Sequence, residues 1–106
     1  ENVPDIRNSR VPDIVDELRS YGVEALVHDP LADKRAAMSE YGVLLRDWSV
    51  MQQLDAIIVA VAHKAYVEAG LAEFIARLKN QKGVVMDVKS IFVPENIPVG
   101  VRYWSL

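Results

Sequence analysis

The apolar positions of this chain alternate between the spacing of helices and that of buried strands. A first helix is predicted where apolar residues recur every three or four positions, with Ser9 available to cap it and Gly22 to end it. A second, more polar helix is predicted from the cap residue Asp33 to Tyr41, with Gly42 closing it. A third helix is predicted at four positions with the same spacing: Leu71, Phe74, Ile75 and Leu78.

Two smaller helical features lie between these predicted elements. Ser49 can cap a short helix that reaches Leu54. Gly70 interrupts the apolar pattern directly before Leu71, and glycine is unfavourable inside a helix. The helix in this region is therefore expected to be split or to begin late.

Short apolar runs between the helices predict parallel strands. The strongest run is residues 56–61, apolar at every position, which is typical of a strand covered by helices on both faces. Further strands are predicted at residues 23–27, 43–45, 84–88 and 101–106. The alternation of strands and helices predicts an α/β fold, a Rossmann-like doubly wound parallel sheet in three layers.

The order of these elements leaves a gap in the predicted sheet. In a doubly wound fold the strand before the first helix is usually central. No strand precedes the first helix here, so the first, central strand is expected to be missing from the chain. Unpaired backbone groups beside the gap are costly to bury. We therefore expect a substitute strand, an association between chains, or additional upstream residues in the natural protein.

Length, composition and charge narrow the class of protein. The 106 residues fit one domain, 1–106, and the hydrophobic fraction of 51% supports a packed core. A net charge of −3 and a pI of about 5.3 disfavour nucleic acid and anionic membranes as partners. The absence of cysteine excludes a disulfide framework and a cysteine nucleophile within this chain. These features favour a cytoplasmic protein.

Polar residues follow three of the predicted strands, at the end where parallel sheets bind ligands. They are, in chain order, His28-Asp29, His63-Lys64, and then Asp87, Lys89 and Ser90. If the loop before the first helix reaches the same edge, the rim carries four cations: Arg7, Arg10, Lys64 and Lys89. Such a rim suits a phosphate-bearing ligand, because arginine offers forked hydrogen bonds and lysine a point charge.

The rim residues near the start of the chain also have simpler interpretations. Arg7 can pair with Asp5 or Asp13 instead of a ligand. Asp29 stands about 20 residues past the Arg7 loop, where dinucleotide folds place a ribose-binding acid. An Asp-Pro pair is also an ordinary turn after a strand, and this is the simpler interpretation of Asp29.

The later rim residues leave similar alternatives open. His63 can act as a base or only orient a loop. Lys89 follows Asp87 by two positions, so both are expected on one side of an extended strand. They would form either an ion pair or a phosphate contact that the aspartate orients. No metal site is predicted, because His28 and His63 lack an evident third ligand.

Five segments together resemble the UDP-glucose/GDP-mannose dehydrogenase family of nucleotide-sugar 6-dehydrogenases. Residues 2–9, N-V-P-D-I-R-N-S, are similar to the D-x-R-x-S loop that opens the C-terminal domain of these enzymes. The other four are Tyr21-Gly22, His28-Asp29-Pro30, D-A-I-I-V-A-V-A-H at 55–63 and D-V-K-S at 87–90. The residues in these segments resemble those of the branch that acts on UDP-N-acetylhexosamines more than those of the UDP-glucose branch.

The resemblance implies a larger enzyme of which this chain is the UDP-sugar-binding C-terminal domain. Its N-terminal domain would bind NAD, and its central segment would form a homodimer. Such enzymes oxidise the sugar C6 alcohol to a carboxylate in two steps, reducing two NAD, to supply polysaccharide precursors. The cysteine and the Gly-rich NAD loop of the family are absent here. No catalytic residue is therefore expected in this chain, which should be inactive alone.

The resemblance also assigns residues. Arg7 is implied as a cofactor-side contact, and Lys89, where relatives use arginine, as a nucleotide-sugar contact with Asp87 beside it. The candidate rim residues are Asp5, Ser9 and His63. Two other functions stay open: a stand-alone nucleotide-binding module without catalysis, and a Rossmann-like interaction domain whose polar rim is only solvated.

Overall fold

A computed structural model describes residues 10–106, which divide into two compact units, 10–51 and 52–106. The first unit contains helices α1 (Val11–Ser20) and α2 (Lys34–Tyr41) and a 3₁₀ turn (Trp48–Val50). The second contains, in chain order, β1 (Ala56–Val59), α3 (Lys64–Ala69), α4 (Leu71–Ala76), a 3₁₀ turn (Lys79–Gln81), β2 (Gly83–Asp87) and β3 (Val101–Ser105). The predictions that concern Asp5, Arg7 and Ser9 lie outside the described residues.

The helices of unit 10–51 end where local sequence signals place them. The carboxylate of Asp33 accepts a hydrogen bond from the Ala36 amide at 2.9 Å, which caps α2, and Gly42 ends that helix. Both features were predicted. Helix α1 starts after Arg10, whose side chain makes no capping hydrogen bond, and its first turn contains Pro12.

Strand formation in unit 10–51 is limited to one parallel bridge, between Val27 and Leu45. The predicted strands 23–27 and 43–45 are therefore wrong beyond this pair. The amide of Val23 donates instead to the Leu18 carbonyl, at 3.1 Å, and so completes the end of α1. A small core stabilises the bridge, formed by Ala37, Val43 and Leu45 with Val27, Ala32 and Tyr41 packed against it.

The predicted helix capped by Ser49 is also not formed. The 3₁₀ turn begins at Trp48, so Ser49 is inside it, and Asp47 occupies the preceding position. This 3₁₀ turn ends at Val50, well before Leu54. Leu54 belongs to unit 52–106, where it forms a parallel bridge with Leu78.

Unit 52–106 is built on a parallel sheet in the order β1-β2-β3. The register aligns Ile57 with Val85 and Tyr103, and it aligns Ile58 with Met86 and Trp104. The sheet and its flanking helices confirm the predicted α/β class. Gly70 separates α3 from α4, which confirms the predicted split of that helix.

The two faces of this sheet differ in burial. Val59 and Val85 lie on the buried face, and the core of the unit also contains Leu71, Phe74, Ile75, Leu78 and Phe92. The opposite face carries Ile58, Met86 and Trp104, which are 39%, 37% and 55% exposed. Within this unit, the side chains of the sheet that pack into the core therefore extend from one of its faces.

Strand β1 lies at one edge of the three-stranded sheet, although its sequence is that of a central strand. Within residues 10–106, β2 is the only strand that pairs along its length with β1. The sheet is consistent with a Rossmann-like domain that lacks strands, and the missing central strand stays a prediction.

Candidate functional site

The carboxyl ends of the three strands lie at one edge of the sheet in unit 52–106. Val59, Asp87 and Ser105 are aligned there by the parallel register. Beyond them, Lys64 begins α3 and Lys89 lies in the turn after β2, and both residues are exposed. Two of the predicted rim cations are thus at the same edge of one sheet.

Asp87 is fully buried, at 0% exposure, at the end of β2. Its Oδ1 accepts from the Ile91 amide at 3.0 Å, and its Oδ2 accepts from the Phe92 amide at 2.9 Å. The hydroxyl of Tyr103 also donates to Oδ2. These three donors compensate the cost of burying the carboxylate. The group has no exposed surface in this structure, and its contacts connect it to the rim through the turn that it holds.

Asp87 and Lys89 do not lie on one extended strand, as their spacing suggested. Strand β2 ends at Asp87, and residues 88 and 89 form a turn. Side chains two positions apart share a face only in extended backbone, so that argument fails here. The two side chains diverge in burial: Asp87 is buried and Lys89 is exposed.

Tyr103 is the site residue that the sequence did not reveal. It lies on β3, sixteen residues from its partner Asp87, and its hydroxyl is also 3.4 Å from the Phe92 carbonyl oxygen. Burial, followed by the hydrogen bond to Asp87 and the charge of its carboxylate, raises the pKa of Tyr103 to about 12. A tyrosine on a terminal strand carries no local signal of such a partner.

His63 is covered rather than open at the rim. Its side chain is 2% exposed, and its ring lies 5.7 Å from that of Tyr66. Its carbonyl oxygen accepts from the amides of Tyr66 and Val67 at 3.0 and 3.2 Å, at the start of α3. This geometry supports the loop-orienting alternative, and a ligand contact by His63 stays a prediction.

The polar residues after Val27 belong to the other unit and make local contacts. Asp29 accepts from the amides of Leu31 and Ala32 at 2.8 and 3.1 Å, which is the turn interpretation of this residue. The ring of His28 lies 4.9 Å from that of Trp48. In the described part of the chain, no three His, Asp or Glu side chains are grouped to hold a metal ion.

No helix within residues 10–106 has the length and apolar character needed to cross a membrane.

Comparison with known families decides the classification. The model of the UDP-glucose/GDP-mannose dehydrogenase family, UDP binding domain, matches residues 1–94. The chain belongs to the UDP-glucose/GDP-mannose dehydrogenase family. The match confirms the resemblance found in the sequence motifs, and it spans residues of both units of this family member.

Three curated relatives resemble this dehydrogenase-family chain. Protein CapL of Staphylococcus aureus is 37% identical over 106 residues, which are 100% of this chain and 24% of that protein. The UDP-N-acetyl-D-glucosamine 6-dehydrogenase of Salmonella typhi is 36% identical over 99 residues, 93% of this chain and 23% of the relative. The enzyme of the same name from Pseudomonas aeruginosa is 40% identical over 89 residues, which are 84% of this chain and 21% of that enzyme. The chain thus spans about a quarter or less of the length of each of these relatives.

Proposed function

We propose that this chain is the nucleotide-sugar-binding domain of an NAD-dependent UDP-N-acetylhexosamine or UDP-glucose 6-dehydrogenase. The names of two relatives favour the N-acetylhexosamine. The complete enzyme would oxidise the sugar C6 alcohol to a carboxylate, a four-electron change that two NAD molecules take up. We further propose that it works as a cytoplasmic homodimer and supplies precursors for polysaccharide synthesis.

The observation that carries the proposal is the position of Lys89. It is exposed in the turn that follows β2, at the carboxyl edge of a parallel sheet. Ligands of α/β proteins bind at this edge, and an ammonium group there can neutralise part of the charge of a diphosphate. Asp87, predicted as a substrate contact, would contribute by shaping the turn. The rim contacts by Asp5, Ser9 and His63 stay predictions.

The chain's own residues do not fit the pyrophosphate of NAD. Its glycines, at positions 22, 42, 70, 83 and 100, form no Gly-x-Gly-x-x-Gly loop, and α1 begins after Arg10 rather than after a glycine. We propose that NAD is bound chiefly by other parts of the enzyme, with Arg7 approaching it from this domain.

The isolated chain should be inactive because it also lacks a cysteine nucleophile. An absorbance assay for NADH, with NAD and UDP-N-acetylglucosamine supplied to this chain, tests the expectation. Turnover above background would contradict the assignment of catalysis to other parts of the enzyme.

The role of Lys89 is tested by titrating UDP into the wild-type chain and the Lys89→Ala variant. We expect UDP binding to weaken by about 1.5–3 kcal/mol, the scale of a charged hydrogen bond. The free energy of unfolding should change by less than about 1 kcal/mol, because Lys89 is exposed.

Lys79→Ala is the matched control for this experiment. Lys79 is also exposed, but it lies before β2, at the opposite end of the same strand. Its variant loses the same charge and should bind UDP as the wild type does. A Lys89→Ala variant that melts well below wild type but keeps full UDP affinity would make Lys89 a structural residue and contradict the proposal.

A further inference from the structure

The turn that presents Lys89 continues into a loop, and residues 88–92 are called the turn from here on. One buried carboxylate holds it from inside the fold. Both oxygens of Asp87 accept amide hydrogen bonds from the far side of the turn, from Ile91 and Phe92. Within the turn, Ser90 has a φ of +53°, a conformation that residues other than glycine adopt rarely. Such a conformation persists only where surrounding contacts determine it. The backbone around Lys89 is therefore defined by Asp87.

Strand β3 and the residue that follows it, Leu106, each contact this turn. The Tyr103 hydroxyl donates to the same carboxylate that holds the turn, and the Ser90 hydroxyl donates to the main-chain oxygen of Leu106. Phe92, the last residue of the turn, is 8% exposed, and its ring lies 5.1 Å from that of Phe74. The turn is thus tied to the last strand on one side and to the core on the other, while Lys89 remains exposed.

We propose that Tyr103 is a positioning residue for nucleotide-sugar binding: through Asp87 it fixes residues 88–92 so that Lys89 meets the diphosphate of the ligand. This inference rests on the proposed function. Tyr103 would not touch the ligand itself, because its hydroxyl is engaged with Asp87. The binding energy of a single ammonium group depends on its placement, and a loosened turn would have to be ordered again at each binding event.

A double-mutant cycle between Tyr103 and Lys89 tests this inference. UDP and uridine are titrated into the wild-type chain, Tyr103→Phe, Lys89→Ala and the double variant. We expect Tyr103→Phe to lower UDP affinity about three- to tenfold when Lys89 is present, and less than twofold when it is absent. Affinity for uridine, which has no diphosphate, should be the same in wild type and Tyr103→Phe.

Two further measurements separate positioning from general destabilisation. Hydrogen exchange of the Ile91 and Phe92 amides should accelerate in Tyr103→Phe, while that of the buried Val85 stays at its wild-type rate. Tyr21→Phe, which removes a hydroxyl at a residue that is 78% exposed, should change neither exchange nor UDP affinity. Ser90→Ala removes the hydrogen bond from the turn to Leu106, the residue after β3, and should also weaken UDP binding.

The outcomes distinguish the inference from the proposed function. A wild-type chain that does not bind UDP contradicts the proposed function, and the inference fails with it. If the wild type binds UDP and Lys89→Ala weakens binding, but the two substitutions act additively or Tyr103→Phe affects UDP and uridine equally, only the inference is overturned.

Discussion

The two units of this chain differ in how far their apolar segments pair as strands. Unit 52–106 forms three parallel strands in continuous register. Unit 10–51 contains comparable apolar runs at residues 23–27 and 43–45, yet its described residues make one bridge, between Val27 and Leu45. An apolar run therefore becomes a strand only when a partner supplies hydrogen bonds along its length.

The two units also fix their turns in different ways. In unit 10–51 an exposed carboxylate, Asp33, caps a helix with one hydrogen bond to a residue three positions away. In unit 52–106 the buried Asp87 accepts three hydrogen bonds, one of them from a different strand. The carboxylate of the first unit therefore makes a local contact, whereas that of the second also joins residues that are distant in sequence. Removal of the carboxylate should accordingly cost more stability in the second unit.

The largest effect is expected for Gly83→Ala, at the start of β2. An added Cβ would lie 2.3 Å from the Asp55 carbonyl oxygen, at a φ of +140°. We expect the free energy of unfolding to fall by about 3–4 kcal/mol, because the backbone at residues 55 and 83 would have to move to relieve the clash. Gly22→Ala is the counterpart in unit 10–51, with a φ of +78° and no atom within 4 Å of the added Cβ. It should cost only about 1 kcal/mol.

Urea denaturation of both glycine variants measures the difference. Equal losses of stability would show that the crowding around Gly83 has no energetic consequence and would weaken the contrast between the units.

A smaller contrast is expected between Asp87→Ala and Asp33→Ala. The first leaves buried amide donors and the Tyr103 hydroxyl without their acceptor, and should cost about 2–3 kcal/mol. The second removes an exposed helix cap and should cost about 1 kcal/mol. Chemical denaturation at neutral pH compares the two. An Asp33 variant that is as destabilised as the Asp87 variant would contradict the view that the buried carboxylate with three donors stabilises the fold more than the exposed cap does.

The smallest effect expected within unit 52–106 is a dependence of stability on alkaline pH. A tyrosine in an unfolded chain titrates near pH 10, whereas the pKa of Tyr103 is raised to about 12. Between these values the folded chain retains a proton that the unfolded chain has lost. Stability is therefore lost as the pH rises through this window, by about 1–2 kcal/mol once the partial exposure of the residue is considered.

Unfolding curves at pH 9.5 and 11.5 check this expectation. Tyr103→Phe should lose that part of the pH dependence, while Tyr21→Phe in unit 10–51 should retain it. The interpretation fails if the Tyr103 variant loses stability over this interval as much as wild type does.

Sequence patterns predicted the elements that depend on neighbouring residues. The Asp33 cap, the end of α2 at Gly42 and the break at Gly70 were all predictable, because each is set by side chains within one helical turn. The three strands of unit 52–106 were predictable as well, from apolar runs that end at polar residues. The lone bridge of Val27 was not, because strand formation depends on a partner that a linear pattern does not identify.

In the candidate site, too, features set by neighbouring residues were predictable, and those set by distant partners were not. The motif around Lys89 was visible in the sequence, and the structure places that lysine at the expected edge of the sheet. The spacing of Asp87 and Lys89 predicts that both lie on one face of a strand, but β2 ends at Asp87 and Lys89 lies beyond it. The bond between Tyr103 and Asp87 joins residues sixteen positions apart on adjacent strands. It could not be predicted without the register of the sheet.

The central claim is that UDP binds at the carboxyl edge of the sheet in unit 52–106, through the turn after β2. The most direct test is a titration of the isotope-labelled chain with UDP, followed amide by amide in ¹H–¹⁵N spectra. We predict saturable shifts concentrated at residues 88–92 and at residues 60–63, which follow β1 at the same edge. Saturable shifts concentrated instead at residues 79–83, at the opposite end of β2, or no saturable shift at all, would contradict the claim.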